Sequence, residues 1–171
     1  MFNKNIKLGI AGLVVAYAVY QFTEGHSGNG IALLLLSLVF IFLYFRNELI
    51  LLAFLRMRKQ DLEGTQKWLE KIKNPTSTLI KKQQGYYNYL YGIIYAQKNL
   101  TQAEKYFKKA LQLGLTMSYD RAMAKLSLAG IYLQKRRKRE ASRFLQEAKK
   151  LDKNRILTPQ IKIIQQQLKK I

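Results

Sequence analysis

The chain has 171 residues, 30 Lys and Arg against 10 Asp and Glu, a single histidine and no cysteine, for a formal charge of +20. That length suits one compact domain with an accessory segment. The lack of cysteine excludes a disulfide framework, thiolate metal sites and a cysteine nucleophile. The charge is unevenly spread: residues 1–50 carry Lys4, Lys7 and Arg46 against Glu24 and Glu48, whereas the remainder holds 27 basic and 8 acidic residues, a net of +19. Two different solvents are implied.

The first elements read as a membrane hairpin. Residues 8–23 (LGIAGLVVAYAVYQFT) carry no charge, nor do residues 27–45 (SGNGIALLLLSLVFIFLYF). A helix rises about 1.5 Å per residue, so the second run crosses most of a hydrocarbon core of about 30 Å, and the first needs Lys7 to snorkel. Spans over about 7–23 and 28–45 follow, joined by EGHSGNG, in which Gly28 and Gly30 permit a tight turn. Ala11, Gly12, Ala16 and Ala18 offer small residues for close helix packing. Lys4 and Lys7 precede the first span, and Arg46, Arg56, Arg58 and Lys59 follow the second. The positive-inside rule therefore puts both termini in the cytosol. A cleaved signal peptide ending near Ala16-Tyr17-Ala18 is the alternative. Gly9 and Gly12 and the closeness of the second apolar run favour a span.

Beyond Arg46 no run alternates with period two, and Pro75 and Pro159 fall at plausible helix boundaries, so the region reads as all-α. Residues 46–84 form linking helices, and Thr101 with Glu104 is expected to make a capping box. Two stretches align: YGIIYAQKNLTQAEKYFKKALQL from Tyr91, and LAGIYLQKRRKREASRFLQEAKKL from Leu128. Tyr91, Gly92, Tyr95, Ala103, Phe107 and Ala110 match Leu128, Ala129, Tyr132, Ala141, Leu145 and Ala148. This pattern resembles the tetratricopeptide repeat, whose units are helical hairpins with small residues where the two helices approach closely. The first unit is one residue short in its turn. Asn88 and Lys125 stand where the family usually has tryptophan, and the terminal proline is absent. A degenerate unit is expected ahead of these, with Thr65, Leu69 and Ile72 at the Ala, Phe and Ala places. The resemblance implies an array over 85–155 and a C-terminal capping helix over 156–171, with Ile161, Ile164, Gln165 and Leu168 on its inner face.

Residues 86–95 hold five tyrosines. Tyr87, Tyr91 and Tyr95 lie on one helical stripe, widened by Leu90 and Ile94, and are expected in the core. Tyr86, Tyr89 and Ile93, with Gln97, lie on a neighbouring face. In the register implied by the resemblance, that face lines a concave groove. Its counterparts are Met123, Leu126, Gly130 and Leu133, with Gln134. Such a groove is apolar and aromatic, so it suits an apolar helix or extended segment of a protein partner. The competing reading is that the C-terminal helix, or the helix after Arg46, fills it.

Lys135, Arg136, Arg137, Lys138 and Arg139 form the densest basic run, at a turn of the second unit. With Arg56, Arg58 and Lys59 nearest the bilayer in sequence, they are candidates for contact with an anionic leaflet. Nucleic acid is the competing polyanion; the run has no interleaved aromatics to stack bases, which counts against it. No phosphate loop, metal-ligand cluster or activated nucleophile can be assembled, so no catalytic residue, metal or cofactor and no small-molecule substrate is expected. The sequence thus points to a non-enzymatic adaptor in a plasma membrane, with a Lys- and Ile-rich composition suggestive of a bacterium. A basic lipid- or polyanion-binding domain, or a structural subunit of a membrane complex, are the alternatives.

Overall fold

The structure is a computed structural model that describes residues 4–45 and 47–170. Among these residues the chain forms ten helices and no strand. It divides into two compact units, residues 1–83 and 84–171.

The first unit opens with α1 (Lys4–Thr23) and α2 (Ser27–Phe45), which pack against each other as a hairpin. The contact is made by small residues. Ala11 and Ala18, seven apart on α1, are buried, as are Gly30 and Ser37, seven apart on α2. Gly12 and Ala16 face outward instead. A side-chain carbon at Gly30 would come within 2.7 Å of the Phe22 ring. The turn differs from the one expected. Gly25, at φ +77°, takes the left-handed position, its N–H bonding to Phe22 O while His26 N–H reaches back to Gln21 O. This is the Schellman geometry, in which a residue at positive φ satisfies the last carbonyls of the helix. Gly28 and Gly30 are simply helical.

Large apolar side chains point away from the α1–α2 contact: Leu13, Val19, Ile31, Leu35, Leu38 and Phe42 are all exposed. Among the described residues, no helix is long and apolar enough to cross a membrane. The helices cover nearly the expected ranges, but the described residues supply no full span. The side chains of Leu43 and Phe45 lie outside that set, as do those of Lys4 and Lys7 and the whole of Arg46, which the sequence reading used as flanking charges.

The first unit continues with α3 (Glu48–Arg58), α4 (Leu62–Glu70) and the short α5 (Pro75–Thr78). Asn47 caps α3 by accepting from the Leu49 and Ile50 N–H groups, and Asp61 caps α4 by accepting from Gly64 N–H at 2.7 Å. α3 and α4 pack together through buried Ala53, Thr65, Leu69 and Ile72. The Thr65 hydroxyl donates back to Asp61 O at 2.6 Å, which lets a polar side chain sit in this core.

The second unit contains most of α6 (Lys81–Ala96), then α7 (Leu100–Leu113), α8 (Ser118–Gln134), α9 (Lys138–Leu151) and α10 (Thr158–Lys169). Asn99, and not Thr101, caps α7, its side chain accepting from the Thr101 and Gln102 N–H groups. The aligned motif residues converge inward: Ala103, Phe107 and Ala110 on α7, and Ala141, Leu145 and Ala148 on α9, are all buried. Gly92 admits the Phe107 ring, since a carbon added there would lie 2.8 Å from it. The turns reinforce the register. Gln60 and Arg136 both take positive φ, with Asp61 N–H bonding to Arg56 O and Arg137 N–H bonding to Tyr132 O. Each of these residues precedes the first small position of its second helix, Thr65 or Ala141, by five. The α6–α7 turn, one residue shorter, closes by Asn99 N–H to Tyr95 O and has no positive-φ residue.

α10 packs on both α8 and α9, burying Ile161 and Leu168. Gly85 is the tightest point of the unit: a Cβ there would overlap the carbonyl oxygen of Gly114, itself at φ +96°. Gly85→Ala is therefore expected to destabilise the second unit by about 2 kcal/mol, because backbone must move to relieve the clash. A thermal melt followed by circular dichroism checks this; an unchanged midpoint would mean that the α7–α8 turn gives way freely.

Candidate functional site

The expected groove face is largely closed. Tyr89 is 4% exposed and packs edge to face on Phe107 at 6.1 Å, and Leu126 is 5% exposed. Burial, with a smaller contribution from the Asp120 charge, pushes the Tyr89 hydroxyl well above its ordinary range. Tyr86 is half-buried and structural: its hydroxyl donates to Asp120 Oδ2 at 2.8 Å and accepts from Met117 N–H at 3.3 Å, tying α6 to the start of α8. Burial, then the Asp120 hydrogen bond, raises its pKa. Gly130 is approached by Ile164 of α10, whose Cδ1 would lie 3.9 Å from a carbon added there. The C-terminal helix therefore covers part of this face. Ile93, Met123 and Leu133 remain half-buried, and Gln97 and Gln134 are exposed.

The other tyrosine stripe is also placed differently from expectation. Tyr87, Tyr91 and Tyr95 are half-buried and not core. Tyr106 of α7 stacks on both Tyr91 and Tyr95 at 5.3 Å, while Tyr87 meets Tyr91 edge to face at 4.9 Å. The reason lies in Gly85 and Gly92. Both lie close to Tyr89 on the helical wheel, at i−4 and i+3, so the face that closes most tightly carries Tyr89 inward.

The basic run splits into bound and free members. Lys135 donates to Glu104 Oε2 at 2.7 Å. Arg137 pairs with Glu140 and lies over the Tyr132 ring at 5.0 Å. Arg136, Lys138 and Arg139 are exposed, as are Arg56, Arg58 and Lys59, of which Arg56 pairs loosely with Asp61 at 3.4 Å. Lys135 and Arg137 are thus each tied to a carboxylate, Lys135 half-buried and Arg137 exposed.

Glu104 is the carboxylate that holds Lys135, and the sequence reading assigned it only a capping role. Its carboxylate accepts from Lys108 at 2.7 Å, Lys135 at 2.7 Å and the Tyr132 hydroxyl at 2.6 Å. Burial alone would raise its pKa, but these three hydrogen bonds outweigh it and hold the carboxyl at about 2, against an ordinary 4.5. Among the described residues no buried side-chain polar atom lacks a partner, and no His, Asp or Glu cluster could hold a metal ion.

Because the Glu104 pKa is depressed on folding, its contribution is complete above about 4.5 and is lost as pH falls toward about 2. Glu104→Gln is expected to cost about 2 kcal/mol at neutral pH, a charged acceptor being replaced among three donors. Melting wild type and variant side by side should show the gap between them shrinking below pH ~4.5. A gap that stays constant with pH would assign the loss to packing.

Comparison with known proteins finds no matching family model, no matching curated protein and no matching solved structure.

Proposed function

We propose that the chain is a membrane-anchored scaffold, in which the α1–α2 hairpin holds the helical array at the cytosolic face and the array recruits a protein partner. The observation that carries this reading is the inverted burial of the hairpin. Small residues, Ala11, Ala18, Gly30 and Ser37, meet between the helices, while Leu13, Leu35, Leu38 and Phe42 face outward. In water this arrangement leaves the hydrophobic effect unused. In lipid, close backbone packing drives helix association and large aliphatic side chains are at home on the outside. α2 is uncharged over all 19 residues, about 28 Å of helix, close to the thickness of a hydrocarbon core.

The recruitment half of the reading rests on the repeated register of the helix pairs and on the resemblance to the tetratricopeptide repeat. With Tyr89 and Leu126 inside, the partner face reduces to Ile93, Met123 and Leu133, edged by Gln97 and Gln134. The exposed Arg56, Arg58, Lys59, Arg136, Lys138 and Arg139 suit an array held beside an anionic leaflet.

Alkaline carbonate extraction of native membranes tests the anchor. The full chain should stay with the membranes, and Leu35→Lys with Leu38→Lys should release it; a wild-type chain that extracts like a peripheral protein would refute anchoring. Crosslinking and mass spectrometry test recruitment separately. Ile93→Glu with Leu133→Glu should remove a specific crosslinked protein, and an unchanged crosslink pattern would rule out this face.

A further inference from the structure

A second surface in the array has a distinct chemistry. α9 and α10, joined by the turn over 152–157, form an open cleft of about 660 Å³ that Lys138, Lys149, Lys162 and Lys169 all line. The four are exposed, and none has a carboxylate partner among the described residues. The helix spacing explains how they meet. Lys138, Ser142, Leu145 and Lys149 run down one stripe of α9, and Lys162, Gln165 and Lys169 down one stripe of α10. The acidic residues of α9 lie on its other faces, where Glu140 pairs with Arg137, and Glu147 pairs with Lys125 and Arg143. The carboxylates of α9 are thus paired outside the cleft, and every charged residue that lines the cleft is a lysine.

Helix stability accounts for only part of this arrangement. Lys149 and Lys169 sit in the last turns of their helices, where a cation complements the dipole. Lys138 is the first residue of α9, where a cation opposes it. Four like charges around one concavity also repel each other unless an anion enters. The cleft is floored by Leu145 and Leu168, both buried, and walled by the amides of Gln146, Gln165 and Gln166, which donate and accept.

We propose that this cleft binds an extended acidic segment of a protein partner, its carboxylates meeting the four lysines and its backbone meeting the glutamine amides. The inference rests on the recruitment reading above and gives the partner a chemistry. A bilayer is too flat to enter a concavity between two helices. No aromatic residue lines the cleft, so a nucleic acid would find phosphate contacts without base stacking.

The test uses the full chain in mild detergent and a fluorescein-labelled oligoglutamate peptide, with binding followed by anisotropy. Lys138→Gln, Lys149→Gln, Lys162→Gln and Lys169→Gln together should weaken binding at least about tenfold, since four charge contacts are lost at once. The matching Lys→Arg set should bind as wild type. Lys67→Gln, Lys73→Gln, Lys105→Gln and Lys109→Gln remove the same charge from exposed positions elsewhere and should change affinity less than about threefold. Equal losses in both Gln sets, or no binding by wild type, would overturn the cleft. So would oligouridylate or phosphatidylserine vesicles binding more tightly than the peptide with the same dependence on the cleft lysines. A crosslinked partner retained by the cleft variant but lost on Ile93→Glu with Leu133→Glu would reject this inference while leaving recruitment intact.

Discussion

Close approach between helices in this chain is made where one partner presents a methyl group or a hydrogen. Ala11, Ala18 and Gly30 close the first hairpin, Ala53 lies at the α3–α4 contact, and Gly92, Ala103, Ala110, Ala129, Ala141 and Ala148 recur at the later pairs. Where the backbones approach closely, Phe107 and Leu145 are the buried large side chains that stand between the small residues of α7 and α9. Everything else is arranged around that geometry. It sets which face of each helix turns inward, and so which side chains are left to meet solvent, lipid or another protein.

The same constraint explains what could be read from the sequence. The pairs α6–α7 and α8–α9 were legible because Ala103 and Ala141, and Ala110 and Ala148, stand at matching places, and Thr65 and Ile72 made the α3–α4 pair visible through residues of different chemistry. The tyrosines were misassigned because periodicity alone cannot rank two apolar stripes on one helix. Gly85 and Gly92 bracket Tyr89 on one stripe; of the two, only Gly92 entered the sequence reading, as a repeat-motif residue. Turns were the other weak point. Gly28 and Gly30 looked like turn residues, yet Gly25 holds the positive φ, since a Schellman end needs its glycine directly after the last helical turn. Asn99 displaced Thr101 as a cap for the same kind of local reason: α7 begins at Leu100, two residues earlier than the expected start at Gln102.

Charge is organised on a second level. Glu104 gathers Lys108, Lys135 and Tyr132, and Glu147 gathers Lys125 and Arg143, so the few carboxylates of the array bridge helices or brace one. The capping box expected at Thr101 and Glu104 gave no hint of this, because Lys135 and Tyr132 are remote in sequence and only the fold brings them to Glu104. With 8 acidic residues against 27 basic ones beyond residue 50, the carboxylates are too few to pair every cation one to one. Such an excess disfavours the compact state through self-repulsion, which an acidic partner of the kind proposed above would relieve.

On the proposed function, the two surfaces would divide the work by physics. A half-buried face built from Ile93, Met123 and Leu133 has apolar area for affinity but little to discriminate one partner from another. A cleft with four lysines that have no carboxylate partner among the described residues has the opposite balance: exposed ion pairs add modest energy each, yet they speed encounter and reject cationic competitors. On the anchoring proposal, such a cleft would gain further from confinement at the membrane, because a partner held at the same surface meets it at a raised effective concentration. Weak, salt-sensitive contacts are sufficient under that condition, and the exposed, mobile chemistry of lysine suits them better than a rigid arginine clamp.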